Sequence, residues 1–206
     1  MYALVESGTI TKYFGYPKGF TLGDVQYPSD IFTKWSVEEK EAIGIYEVVY
    51  DNSNFKDEKW YINTNQSFAF ANDTVTASYG TATAKAHADT TWSQDDEDAG
   101  DLPDDKSVGD IKTRGLKYNL IQTLKSQVAN ELARTDWYIT RNSEKSTAIP
   151  SSISNHRDAV RTKQAAMEAQ ITGASDTAAL ETLYTFTEQE DGSVTRPLGE
   201  LPILES

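Results

Sequence analysis

The chain has 206 residues and no cysteine, which excludes disulfides, zinc–thiolate centres and cysteine nucleophiles. Histidine is scarce: only His87 and His156 occur, in different halves. A Ser–His–Asp relay needs an imidazole beside a carboxylate and an activated hydroxyl. His156 instead precedes Arg157 and Asp158 on a predicted helix, where the three side chains diverge, so an exposed helical histidine is expected. No apolar run approaches the roughly 20 residues that span a bilayer. Met1–Glu6 lacks the basic region and long apolar run of a signal peptide, which predicts a soluble protein made in a cytoplasm. Phosphate-binding glycine spacings are missing too, since Gly115 has no partner glycines at the distances such loops need.

Positive charge is in short supply. Lys and Arg number 19 against 32 Asp and Glu, for a formal net charge of −13. Such a surface repels nucleic acid and anionic membrane, which are bound through Lys and Arg. Arg157 to Lys163 carries three positive charges, no more than an ordinary helix face. No nucleic-acid or membrane partner is therefore expected. The hydrophobic fraction, 38%, is below the globular average, so each half buries a small core, and association with other chains is a common remedy.

The densest negative charge lies between Gln94 and Asp105. As a calcium loop starting at Asp95 it fails: Glu97 and Gly100 fit the third and sixth positions, but Ala99 and Lys106 occupy the fifth and twelfth. Like charges at this density repel and bury little apolar surface, which predicts a solvated linker over 82–110. No metal, cofactor or catalytic residue is assigned. Acidic residues this numerous always offer carboxylate pairs, and no spacing singles one out for glycoside cleavage.

What is present divides the chain in two, giving an α+β class. Residues 1–81 read as a small, antiparallel, β-rich domain. Tyr2–Val5 and Thr9–Phe14 flank Ser7-Gly8 as a hairpin. Gly15 to Pro28 reads as a loop, and Asp30–Trp35 as a short strand or turn. Ser36-Val37-Glu38-Glu39 is a capping-box pattern opening a short helix that Gly44 stops. Ile45–Tyr50, Lys59–Asn63, Ser67–Ala71 and Thr74–Tyr79 are strand candidates. Trp35, Trp60 and Tyr61 could form a sugar-binding platform, although aromatics in a small sheet more often fill its core.

Residues 111–187 read as helical. Leu116, Leu120, Leu124, Val128 and Leu132 form a stripe that ends near Arg134. A second helix is predicted from Ile153 to Ile171, stopped by Gly173, and a third from a cap at Asp176, with Ala179, Leu180 and Leu183. The tail, 188–206, reads as extended, with Leu198, Leu201, Ile203 and Leu204 able to dock on another surface.

One stretch is more specific. Asn130-Glu131-Leu132-Ala133-Arg134-Thr135-Asp136-Trp137 follows the long helix, then Arg141, Glu144, Ile149-Pro150 and Asn155-His156-Arg157-Asp158-Ala159-Val160-Arg161. This resembles the C-terminal region of phage tail assembly chaperones and related tail-fibre-linked proteins, with their Leu-x-x-(Thr/Ser)-Asp-Trp signature, proline and Tyr-Arg-x-x-Leu-Arg helix. His156 stands where that family has Tyr, and Val160 where it has Leu. The resemblance covers about residues 116–171. Met1–Val5, Tyr27-Pro28, Trp35 and Ala42–Ile45 are similar to the opening of small tail-region proteins of marine tailed phages.

The resemblance implies a non-enzymatic role in building or decorating a tail, with other tail or fibre proteins as partners and a virion location. Assembly into a homo-oligomer is left open. A soluble tail-fibre chaperone absent from the mature particle is the alternative; a glycan-binding module or depolymerase is a third. In physical terms, Thr135 or Asp136 is expected to cap a helix end. Trp137 is expected to fold over the leucine stripe as a roof. Arg157 and Arg161 are expected to share a face and pair with carboxylates such as Asp136 or Glu144. The candidate partner-binding residues are Trp137, Arg157, Arg161, Leu201 and Ile203, with service to the fold as the competing role.

Overall fold

A computed structural model describes residues 1–204 and shows an α+β protein, with a sheet-rich N-terminal part and a helical C-terminal part. It divides into two compact units, Met1–Thr83 and Ala84–Ser206.

The first unit begins with the expected hairpin. β1 (Tyr2–Glu6) and β2 (Thr9–Phe14) pair across Ser7 and Gly8, both at positive φ (51° and 78°), the twist a tight hairpin favours. The Gly15–Pro28 stretch is not all loop: it holds a second small hairpin, β3 (Phe20–Leu22) and β4 (Val25–Tyr27). Asp30–Trp35 is helical rather than extended. There α1 (Ile31–Lys34) buries the adjacent Ile31 and Phe32. α2 (Val37–Glu41) starts at the capping box: Ser36 Oγ accepts from the Glu39 amide at 3.2 Å, and the Glu39 carboxylate accepts from the Ser36 amide at 2.8 Å. β5 (Ile45–Asp51), β6 (Tyr61–Ile62), β7 (Ser67–Ala71) and β8 (Thr74–Ser78) follow, and the two-residue β9 (Thr83–Ala84) falls at the boundary of the unit.

The main sheet has the order β2-β1-β5-β8-β7. It is not wholly antiparallel, because β5 and β8 run parallel. Residues 52–73 between them supply the long crossover that a parallel pair requires. Period-2 alternation sends Leu4 into one core with Phe14, Phe20, Ile31, Phe32 and Ile45. It sends Ala3 and Val5 into a second with Val48, Val75 and Ala77. Aromatic residues fill these interiors: Phe14 lies 4.9 Å from Phe20 and 5.2 Å from Phe32, ring to ring. Trp60 and Tyr61 are buried and Trp35 is half-buried, edge-on to Tyr27. The three rings thus present no shared exposed face for stacking a sugar.

The second unit opens with the segment that charge density marks as a linker, and that segment is folded. β10 (Thr90–Thr91) pairs with β11 (Ile111–Thr113), and between them α3 (Gln94–Asp98) starts on a capping box of Ser93 and Asp96. Basic residues beyond the acidic run hold it in place. Lys112 donates to Asp96 at 2.6 Å and lies 4.4 Å from the Trp92 ring centre, while Arg114 donates to Asp89 at 2.6 Å. The division of the chain therefore falls at 83/84, so that 84–110 belongs to the second unit instead of forming a linker between two.

The Asp96 carboxyl is held down to about 2, first by the Lys112 ammonium and then by the Ser93 amide and hydroxyl. Because this lies below the unfolded value of roughly 4, the stabilisation is fully present above pH 4. It is lost as pH falls through about 2. In an NMR titration the Asp96 carboxyl carbon should turn over near pH 2, and Lys112→Met should raise that midpoint toward the ordinary value. An ordinary midpoint in the unaltered chain would refute the contact.

α4 (Leu116–Ala133), α5 (Asp136–Lys145), α6 (Ser151–Gly173) and α7 (Thr177–Tyr184) form the helical body. α4 packs on α6. Leu124 and Val128 of the stripe are buried, as are Ile153, Val160, Met167 and Ile171 of α6. Asp176 caps α7 as expected, accepting from the Ala179 amide at 2.8 Å. The start of α4 is capped by backbone: the Leu116 and Lys117 amides donate to Ala86 O (3.0 Å) and His87 O (2.9 Å). The tail is not simply extended. β12 (Thr187–Glu188) and β13 (Val194–Thr195) pair, and buried Leu198 is held by its amide to Leu183 O and by Lys163 to its own carbonyl. The last two residues of the predicted tail, 205–206, lie outside the described residues.

Candidate functional site

The signature residues sit where α4 ends, α5 begins and α6 crosses. A helix end leaves carbonyls without intrahelical partners. Here Leu132 O accepts from the Thr135 hydroxyl at 3.0 Å and from Arg157 Nη1 at 2.8 Å. Arg157 Nη1 also donates to Thr135 Oγ1 at 2.7 Å and reaches Asp136 Oδ1 at 2.9 Å. Both Thr135 and Arg157 are buried. Arg157 therefore meets the expected Asp136, but does so with its side chain only 9% exposed. That favours service to the fold over partner binding for Arg157.

His156 is likewise buried, not exposed. Its Nε2 lies 3.0 Å from Glu131 Oε1, and Arg134 donates to the other Glu131 oxygen at 3.0 Å. Burial pushes the Glu131 carboxyl up, but Arg134 and His156 outweigh it and the net shift is downward. The His156 ring thus closes a polar knot joining α4 to α6. Arg161, one turn from Arg157, does not join it. It pairs at 3.5 Å with Asp158 on its own helix and stays largely exposed.

Trp137 departs most from expectation. The stripe is covered by α6, and Trp137 is 52% exposed. Its ring stands 3.9 Å from Tyr138, and the Arg141 guanidinium lies 4.6 Å from its centre and 5.4 Å from that of Tyr138. Positions four apart on a helix are neighbours, so Trp137 and Arg141 share a face. The result is an aromatic–guanidinium cluster on α5, with Trp137 exposed and Tyr138 and Arg141 half-buried, the side-chain types that dominate binding energy at protein interfaces. Tyr138 has no place in the sequence reading and Arg141 enters it only within the stretch that carries the resemblance, yet their spacing from Trp137 is the signal that marks them as its neighbours. Of the tail candidates, Leu201 is half-buried and Ile203 is 80% exposed.

Two surface depressions contrast with this face. One of about 480 Å³ is lined by Gly19, Phe20, Thr21, Gln26, Tyr27 and Pro28. The other, about 320 Å³, is lined by Gln170, Gly173, Ala174, Ala179 and Leu183. Neither lining includes a carboxylate, imidazole or amine. Among the described residues no group of three or more His, Asp and Glu is placed to hold a metal ion. Comparison with protein-family models, with curated proteins and with solved structures returns no match to this chain.

Proposed function

We propose that this chain is a non-enzymatic structural protein of a phage virion, placed in the tail or fibre-attachment region and acting by docking on other tail or fibre proteins. The observation that carries the reading is exposed Trp137 on α5, with half-buried Tyr138 and Arg141 against its ring. The rest of the signature supports it by division of labour: Thr135, Asp136 and Arg157 are engaged with one another, and Trp137 points outward from the same short segment. The resemblance to tail-assembly proteins supplies the biological setting.

Mass spectrometry of purified particles of the encoding phage tests this. The chain should be present at a fixed ratio to a tail or fibre protein, and Trp137→Ala should reduce its incorporation. A central aromatic anchor is worth about 2 kcal/mol or more, so affinity should fall roughly thirtyfold. Absence from particles, with rescue of soluble fibre on co-expression, would establish the chaperone alternative instead.

A further inference from the structure

We infer that the α5 face receives a carboxylate, presented by an otherwise apolar segment of a partner protein. The inference rests on reading that face as a docking surface and adds the chemistry of its occupant. Arg114, Arg134, Arg157, Arg161 and Arg196 each lie within 4.0 Å of an Asp or Glu oxygen. Arg141 is the remaining arginine, and among the described residues no carboxylate comes that close to it. Among the described residues of a chain with 32 acidic residues, this is the one arginine with no carboxylate oxygen within 4.0 Å.

Its surroundings sharpen the case. Arg141 Nε is shielded from solvent and makes no hydrogen bond. The Trp137 and Tyr138 rings lie against the guanidinium. They hold it in one orientation and lower the local dielectric, so a carboxylate meeting its Nη edge gains more than at a fully wet arginine. The flanking indole offers apolar area, which suits a carboxylate set among aliphatic or proline side chains. An extended polyanion is disfavoured because the whole chain carries −13 and would repel it. A single carboxylate on an apolar segment meets little of that repulsion.

The test uses the full chain and a displayed random-peptide library as the probe. Selection should enrich peptides with an Asp or Glu next to an apolar residue. Their binding should weaken roughly tenfold or more on changing that residue to Asn or Gln, and equally on Arg141→Gln. Arg141→Lys, which keeps the charge but not the planar fork, should recover only part of it. Circular dichroism of each variant confirms the fold. Enriched peptides without an acidic position, or no enrichment at all, would overturn the inference. Peptides that lose binding on Trp137→Ala but ignore Arg141→Gln would also overturn it, and would leave the docking reading standing.

Discussion

Replacing Arg157 by alanine should cost the helical unit about 3 kcal/mol, from two hydrogen bonds of a charged donor to Leu132 O and Thr135 Oγ1 at ~1.5–3 kcal/mol each, discounted because Leu132 O keeps its bonds from the Thr135 amide and hydroxyl. One guanidinium nitrogen serves Leu132 O, Thr135 Oγ1 and Asp136 Oδ1, and its side chain is 9% exposed. Without it, the α4 carboxyl end loses a donor in a place that water reaches poorly. The exposed Asp136 carboxylate adds little to the loss, because solvent takes over its solvation. The buried aliphatic stem leaves a void as well. Arg157→Lys should recover less than half, since the shorter lysine stem does not carry its ammonium to the position that Nη1 occupies among the three acceptors. Arg161→Ala should stay within ~0.5 kcal/mol, because its pair with Asp158 is exposed and local. Urea unfolding followed by the helical circular-dichroism signal separates these. Equal midpoints for Arg157→Ala and Arg161→Ala would refute the role assigned to Arg157.

Gly115→Ala is the second large effect. Gly115 precedes α4 with an extended backbone, so conformation alone does not demand glycine there. Space does: a Cβ would overlap the Ala88 carbonyl group and lie 2.8 Å from the Asp89 amide nitrogen. Both obstacles are backbone and cannot rotate away. The 86–89 segment would have to leave the first turn of α4. That would break the bonds from Leu116 and Lys117 to Ala86 and His87, and the bond from the Gly115 amide to the Asp89 carboxylate. The expected loss is about 3 kcal/mol, typical of severe overpacking, with faster amide exchange in 115–117. Gly173→Ala, which meets nothing within 4 Å at the end of α6, is the control and should be neutral or stabilising by up to ~1 kcal/mol. Comparable losses at the two positions would contradict the packing described for Gly115.

The two variants show what kind of information a sequence displays. Ser36 and Glu39 announce their capping box because both partners lie within one helical turn, and so do Ser7-Gly8, the α4 stripe and the Asp176 cap. The acidic segment misleads for the opposite reason. Its compensating groups are distant: Arg114 is 25 residues from Asp89, and Lys112 is 16 residues from Asp96. Local charge density therefore predicts repulsion where the fold supplies pairing. His156 and Arg157 were legible as helical but not as buried, because burial depends on where α6 crosses the end of α4. The parallel pairing of β5 with β8 is equally invisible locally, since a strand's own residues do not name its partner or its direction.

At the candidate site the same distinction holds. The sequence leaves Arg157 and Arg161 a choice of carboxylates such as Asp136 or Glu144; Arg157 takes Asp136, while Arg161 takes Asp158 on its own helix. Trp137 was expected inside because an indole commonly covers a small apolar stripe. The long α6 already covers that stripe, which leaves the indole at the surface against Arg141. The outward Trp137 moves the argument for docking from an inferred helical core to a specific exposed face.

Oxidative footprinting of Trp137 is the most direct measurement of that face at work. The free chain should label readily at Trp137, which is 52% exposed, and hardly at all at buried Trp60. In assembled particles Trp137 labelling should fall to near the level of Trp60, while exposed Tyr16 serves as the reference for solvent access. Trp137 labelled as strongly in particles as in the free chain would contradict the account.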